Sequence, residues 1–376
     1  MGLLYDAVAV GMGAYTRTAF SVRTLRPEAF RAEPGTIIVS THRRETDVPL
    51  LCPSMYRAGR LWAKRSPRIS FVARHDMFQR GFFAGFPSGL HPRLRRALWG
   101  IDIGGYLPDV QVHPIRSAAS VTLAEVFDAV PEASLDELLS DDVASPFRAR
   151  ALRLGLRRPE RAADVLVGDY ADLLWRSFTR ETLAGPGLEE VWRLQAARAT
   201  EDFRRLVGLV RDGAVLVVFP EGKPSPDGSI GPLRSGLGAL VRRSRPRWIQ
   251  PVGLAYDPLT RGRPRAYVSF LAPVPAPDED VEEAILGLLR LATPLTLGQV
   301  VARRLVRGPV SARELEQEVE RELVAARAEG RNADPALAEP GTRRRRVADA
   351  LAAARSRRAD LDYLAREHAS ARGESL

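Results

Sequence analysis

Short apolar runs rich in β-branched residues alternate along this chain with longer stretches whose apolar positions recur at helical spacing. Runs of the first kind at 36–41, 69–74, 110–115, 214–219, 248–256 and 265–272 predict strands. Stretches of the second kind at 48–62, 91–99, 190–211 and 232–244 predict the helices between them. Such alternation predicts an α/β protein with a mixed sheet flanked by helices.

Outside this frame the pattern changes. Residues 2–22 predict a weakly amphipathic helix with Leu3, Leu4, Ala7, Val8, Gly11, Ala14 and Tyr15 on one face. That face has two uses: packing on the α/β domain, or an in-plane membrane contact followed by Arg17, Arg23 and Arg26. Between Arg116 and Glu221, Ala119–Val130 reads as helix and Ser134–Pro146 as an acidic loop. Asp164–Leu183 reads as helix again, its Tyr170, Trp175 and Phe178 belonging to a core more readily than to a lid. Past Pro277 the chain turns helical and charged, with helices at 311–328 and 342–371 separated by Asn332–Gly341. These shifts divide the chain into an N-terminal helical segment (1–30), an α/β domain (31–277) with a helical insertion at about 118–190, and a helical C-terminal extension (278–376).

A chain of 376 residues is long enough for one large or two medium domains with a proper core. No run of about 18 apolar residues is present to span a membrane. The N-terminus lacks a basic start and carries Asp6, which makes it a poor signal peptide. Cys52 is the single cysteine, so no intramolecular disulfide can form; this fits a reducing cytosol, with Cys52 in the core. The net charge of +10 is unevenly spread. Residues 1–116 carry 17 Lys/Arg against 8 Asp/Glu, whereas the remainder is nearly balanced. A field of that sign attracts anionic phospholipid surfaces and phosphorylated substrates, and by charge alone nucleic acid as well. Only Lys64 and Lys223 are lysines, so arginine clusters reflect a compositional bias. Arg343–Arg346 is accordingly read as a solvated helix face, and no nucleic-acid partner is expected.

Candidate chemistry centres on Thr36–Leu51, TIIVSTHRRETDVPLL. Its β-branched run ends in Ser40-Thr41, His42 follows, and Asp47 stands where a helix would open with Pro49 in its first turn. A tight strand-to-helix turn brings such a carboxylate back onto the imidazole, fixing its tautomer and leaving the other nitrogen as a general base. The same residues would serve equally as a strand end and a helix cap. In Ala214–Ser225 a second apolar strand runs into Pro220-Glu221-Gly222. Gly104-Gly105 reads as a turn rather than a dinucleotide site. G-x-S-x-G, the P-loop and Cys/His sets at metal spacing are missing from the sequence.

H-x-x-x-x-D after one strand and F-P-E-G after a later one resemble the glycerolipid acyltransferase family, the glycerol-3-phosphate and 1-acylglycerol-3-phosphate O-acyltransferases. His42 and Asp47 match its first motif, Phe219–Gly222 its third, and Pro251-Val252 its fourth. Val112–Ser117 looks like the second motif and nominates Arg116. The resemblance covers roughly Arg23 to Pro273, and its Ser-Thr-His-Arg looks closer to the glycerol-3-phosphate branch.

That resemblance implies acyl transfer from acyl-CoA or acyl-carrier protein to glycerol 3-phosphate or its 1-acyl derivative, with His42 as base and Asp47 orienting it. It implies acceptor binding by Glu221, Gly222 and Arg116, with backbone N–H groups of the Glu221-Gly222 turn as oxyanion or phosphate donors. No metal or tightly bound cofactor is implied. The third motif commonly continues Thr-Arg-Ser, whereas this chain has Lys223-Pro224-Ser225. Lys223 or Arg234 would then supply the missing charge, and Arg43 would also face the phosphate. The expected setting is cytoplasmic and peripheral, on the anionic inner face of the cell membrane. The alternative is a catalytically inactive basic lipid- or nucleic-acid-binding protein on the same fold.

Overall fold

The protein is described from a computed structural model, in residues 2–58, 69–85, 90–183 and 188–374. Its strands are β1 (Ser21–Leu25), β2 (Thr36–Ser40), β3 (Ile69–Arg74), β4 (Val112–Ile115), β5 (Ser120–Thr122), β6 (Ser177–Thr179), β7 (Val215–Val218), β8 (Trp248–Asp257), β9 (Arg265–Phe270) and β10 (Val274–Pro275). The chain forms two compact units, Met1–Ser70 with Val207–Leu376, and Phe71–Leu206.

The first unit is built on the path β1–β9–β8–β2–β7. β2 runs parallel to both neighbours, β1 runs parallel to β9, and β8 and β9 are antiparallel, so the sheet is mixed and mainly parallel. All five residues of β2 and all four of β7 are buried. Covered on both faces, these strands read as continuous apolar runs instead of alternating ones. β1 is a correction: the predicted 2–22 helix stops at Ala19, and Ser21–Leu25 extends to pair with β9. A long-range backbone ladder there overrides weak helical periodicity.

Helices flank this sheet. Gly2–Ala19 packs on Asp47–Ala58, turning Tyr5, Ala9 and Thr16 inward. Residues 59–62, the end of the predicted 48–62 helix, lie outside the described residues. Val281–Ala292 packs on β8 and β2. Beyond it Leu297–Val306, Ala312–Ala328, Pro340–Ala354 and Arg358–Ala371 enclose an apolar core that includes Val301, Leu315, Val319, Val347 and Leu364. The predicted 342–371 helix is therefore two helices. Asn332–Gly341 is more than a linker, since Asn332 donates to Ser269 Oγ at 2.8 Å and Asp334 accepts from Tyr267 at 2.6 Å. Arg346 joins Asp334 at 2.7 Å, and both Arg343 and Arg346 are buried. The expectation of a solvated Arg343–Arg346 face holds for Arg344 and Arg345, which are exposed, and is corrected for Arg343 and Arg346: the buried acid of the preceding turn draws Arg346 inward.

The second unit pairs β3 with β4 in parallel and β5 with β6 antiparallel. Ala119–Val130 divides into β5 and a Leu123–Ala129 helix, capped reciprocally by Thr122 and Glu125. Ser134–Pro146, expected as a loop, carries the Leu135–Leu138 and Asp141–Leu154 helices. Its acids are helix-starting residues: Asp141 and Asp142 occupy a first turn, where the helix dipole favours negative charge. Asp164–Leu183 is broken into short helical turns and β6. Tyr170 and Trp175 are buried in this unit's core, and Phe178 packs against it. Among the described residues no helix is long and apolar enough to cross a membrane.

Candidate active site

The site lies in the first unit, past the C-terminal ends of β2 and β7. The parallel register pairs Val39 with Val218, so His42 and Glu221 each fall three residues beyond that pair. Loops at the carboxyl ends of parallel strands are where α/β proteins gather their ligands. Here the two loops bond to each other. Glu221 Oε1 accepts the His42 N–H at 2.8 Å, and the His42 carbonyl accepts the Ser225 N–H at 2.9 Å. Thr41 anchors the loop from behind, its Oγ1 accepting the Leu254 N–H of β8 at 2.9 Å.

Asp47 does turn back onto His42. Its Oδ2 lies 2.8 Å from Nδ1 of His42, with the Asp47 side chain fully buried and that of His42 16% exposed. Instead of capping its helix, the carboxylate accepts the N–H groups of Arg43 and Arg44, closing the loop around itself. Tyr256 donates to Oδ1 at 2.7 Å. An ionised carboxylate only accepts, so this geometry places the imidazole proton on Nδ1 and leaves the Nε2 lone pair uncommitted. The ring of Phe219 lies 4.5 Å from that of His42, inclined by 31°, and fixes its plane.

The remaining expected residues separate into those at this site and those held elsewhere. Glu221 is 5% exposed, and its Oε2 accepts the Gly231 N–H at 3.1 Å. Burial raises its carboxyl pKa, opposed by the charge of Arg43 and by these two backbone donors. Each of its oxygens thus holds loop backbone, so Glu221 brackets the two loops together. Gly222 has φ +72°, a left-handed conformation that favours glycine, and its N–H donates to the Phe219 carbonyl at 3.0 Å. That closed turn leaves its N–H unable to serve as the expected oxyanion donor. Arg43 is corrected too: its side chain is completely buried and turned away from solvent, 3.3 Å from Glu367. Arg116 belongs to the second unit, where its guanidinium pairs with the buried Asp202 at 2.8 Å. Lys223 and Arg234 are exposed, and neither makes an ion pair among the described residues. The Arg234 side chain lies over Gly222, its Nε 3.0 Å from where a Cβ would stand.

Sequence reasoning missed Tyr256, Tyr363 and Glu367, which reach this site from β8 and from the last helix. Arg44 also went unremarked; its guanidinium lies 4.8 Å above the Tyr256 ring. A tyrosine hydroxyl inside an otherwise buried strand could have marked Tyr256, but nothing local marks the other two. Burial pushes the Cys52 thiol up to about 12, which keeps it protonated and unreactive. Among the described residues no group of His, Cys, Asp and Glu is placed to hold a metal ion.

Comparison with protein-family models finds no match for the chain, and no curated protein matches it. Among solved structures, the crystal structure of the 1-acyl-sn-glycerophosphate (LPA) acyltransferase PlsC from Thermotoga maritima is similar to it at 12% identity and a TM-score of 0.39. That likeness covers 75% of this chain and 74% of the other.

Proposed function

We propose that this protein is an O-acyltransferase that moves a fatty acyl group from acyl-CoA or acyl-carrier protein to the hydroxyl of glycerol 3-phosphate or 1-acylglycerol 3-phosphate. The observation that carries the reading is the 2.8 Å bond between His42 and a fully buried Asp47, with Nε2 making no hydrogen bond among the described residues. His42 Nε2 takes the proton of the acceptor hydroxyl as its oxygen attacks the thioester carbonyl. The C–O bond forms, the C–S bond breaks, and the departing thiolate recovers the proton from the imidazolium. Asp47 holds the ring and stabilises the imidazolium in passing, the part an acid plays beside histidine in hydrolase triads. General-base help of this kind is worth about 10²–10⁴-fold.

The two exposed cations beside the F-P-E-G turn, Lys223 and Arg234, take the acceptor phosphate. Both extend from the loop that brackets His42. A membrane setting is supported by the Gly2–Ala19 helix. While Tyr5 and Ala9 face inward, the face formed by Leu3, Leu4, Ala7, Gly11, Ala14 and Tyr15 is exposed. In this reading that face lies in the surface of an anionic bilayer on its cytoplasmic side, aided by the N-terminal excess of arginine.

The test is incubation of the purified protein with labelled acyl-CoA or acyl-carrier protein and a panel of glycerol-phosphate and lysophospholipid acceptors. Labelled acylglycerol phosphate should form with wild-type protein and not with His42→Ala. No product on any acceptor, or equal product from both proteins, would overturn the reading and leave a binding protein on this fold.

A further inference from the structure

The last helix, Arg358–Ala371, reaches the loop that carries His42 through several side chains. Glu367 lies 3.3 Å from Arg43 Nε, with neither side chain exposed to solvent. Tyr363 donates its hydroxyl to the Arg43 carbonyl at 3.4 Å. Ser370 Oγ accepts the Ile230 N–H at 2.8 Å, and Arg366 pairs with Asp227 at 3.3 Å. The helix also passes so close to Gly228 that a Cβ there would collide with the Tyr363 carbonyl oxygen. Each contact falls on one of the two loops that frame the base.

Arg43 links those loops. Its N–H donates to Asp47, while its guanidinium Nη1 donates to the carbonyls of Gly228 at 2.6 Å and Ser229 at 3.3 Å. Gly231, two residues further on, binds Glu221, which binds the His42 N–H. A closed circuit therefore runs from His42 through Asp47, Arg43, the 228–231 loop and Glu221 back to His42. Glu367 supplies the charge that lets a guanidinium sit inside this circuit, and Gln299 holds its other oxygen at 2.9 Å.

Stability alone is a poor account of such a pair. Two charges removed from water lose hydration that their attraction recovers only when every polar atom is hydrogen-bonded. Here Arg43 Nε and Nη2 and Glu367 Oε1 make no hydrogen bond among the described residues. An apolar pair of similar volume would hold the helix as well. What an apolar pair could not do is fix the Gly228 and Ser229 carbonyls and the backbone beside His42 at once.

We infer that Glu367 is a positioning residue for the base: through Arg43 it clamps the His42 loop to the F-P-E-G loop, making the C-terminal helix part of the catalytic apparatus. This rests on His42 acting as proposed above. Misplacement of a catalytic group by about 1 Å can cost a hundredfold in rate, so loss of the clamp should be visible in turnover.

Full-length protein is compared as wild type, Glu367→Gln, Glu367→Asp, and the double variant Arg43→Met/Glu367→Leu, which removes both charges together and leaves no unpaired one. Steady-state kinetics give kcat and KM, thermal melting reports folding, and proton NMR of 15N-histidine-labelled protein reads the His42 Nδ1–H resonance, assigned by its loss in His42→Ala. Glu367→Gln and the folded double variant should lose kcat roughly tenfold to a hundredfold with little change in either KM. Both should move the His42 resonance, and Glu367→Asp should recover part of each effect. A double variant that turns over at the wild-type rate with an unmoved resonance would overturn the inference and leave a merely structural ion pair. If wild-type protein transfers no acyl group, the acyl-transfer reading fails on its own, and the His42 resonance across the variants still decides the clamp.

Discussion

The phenol of Tyr256 donates to Asp47 Oδ1 at 2.7 Å, on the carboxylate oxygen that His42 does not use. Asp47 is thereby held from two sides. Tyr256 also contacts Thr46 Oγ1 at 3.0 Å, and its ring lies 5.3 Å from that of Phe20, inclined by 60°, so its own place is fixed. Tyr256→Phe keeps the ring and removes the donor. It should cost about 1–3 kcal/mol of stability, because Oδ1 is left buried without a partner. Turnover should fall with little change in KM, and denaturant titration beside steady-state kinetics checks both.

His42→Ala should abolish transfer while leaving the fold intact, since among the described residues the ring is held by Asp47 and Phe219 alone. Loss of a general base costs about 10²–10⁴-fold, so more than a tenth of wild-type turnover remaining would remove His42 from the mechanism. Asp47→Ala should lose activity and also stability, by more than a missing helix cap would, because it orphans the Arg43 and Arg44 N–H groups and takes the carboxylate acceptor from the Tyr256 hydroxyl. Circular dichroism melts separate the two variants.

The acceptor phosphate provides a third prediction. Lys223→Ala and Arg234→Ala should each raise the acceptor KM by roughly tenfold to a hundredfold, the loss of a charge-assisted hydrogen bond worth about 1.5–3 kcal/mol. The donor KM should stay put. Arg116→Ala, by contrast, should lower thermal stability by leaving Asp202 buried without its cation. Kinetics with donor and acceptor varied separately would expose a wrong assignment, shown by an unchanged acceptor KM in both alanine variants.

A fourth concerns Asp257, next to Tyr256 and fully buried. Its carboxyl is pushed up to about 6 from the ordinary 3.8 by burial, despite the N–H groups of Leu259 and Gly298 that it accepts. A carboxyl raised on folding adds stability below its unfolded value, and that stability is lost as pH rises through about 6. Asp257→Asn does not titrate. The stability of wild type relative to Asp257→Asn should therefore fall by roughly 2–3 kcal/mol between pH 4 and pH 7, whatever constant offset the lost hydrogen bond adds. Urea titrations of both proteins across that range measure the slope; parallel curves would contradict the raised value.

Local sequence determined the parts that local physics governs. The β-branched runs of β2 and β7 announce buried parallel strands, because a strand covered on both faces has no polar side to show. His42, Asp47 and F-P-E-G stand out by residue type and spacing, and the five-residue step from His42 to Asp47 is short enough for the turn to bring them together. Other outcomes are settled by residues far apart in the chain. The Val39–Val218 register that sets His42 beside Glu221 spans 179 residues at the bond itself, and Tyr256 reaches Asp47 across 209. The family resemblance implies for Arg43 a phosphate-facing place beside the base. A buried carboxylate from the last helix turns it inward instead, as a buried Asp202 holds Arg116. The sequence by itself determined which side chains could do chemistry, since spacing and residue type are local properties. Only the tertiary structure decided which of them face substrate and which brace the loops, because a charge goes where its burial is compensated by a partner, and those partners are supplied by distant segments.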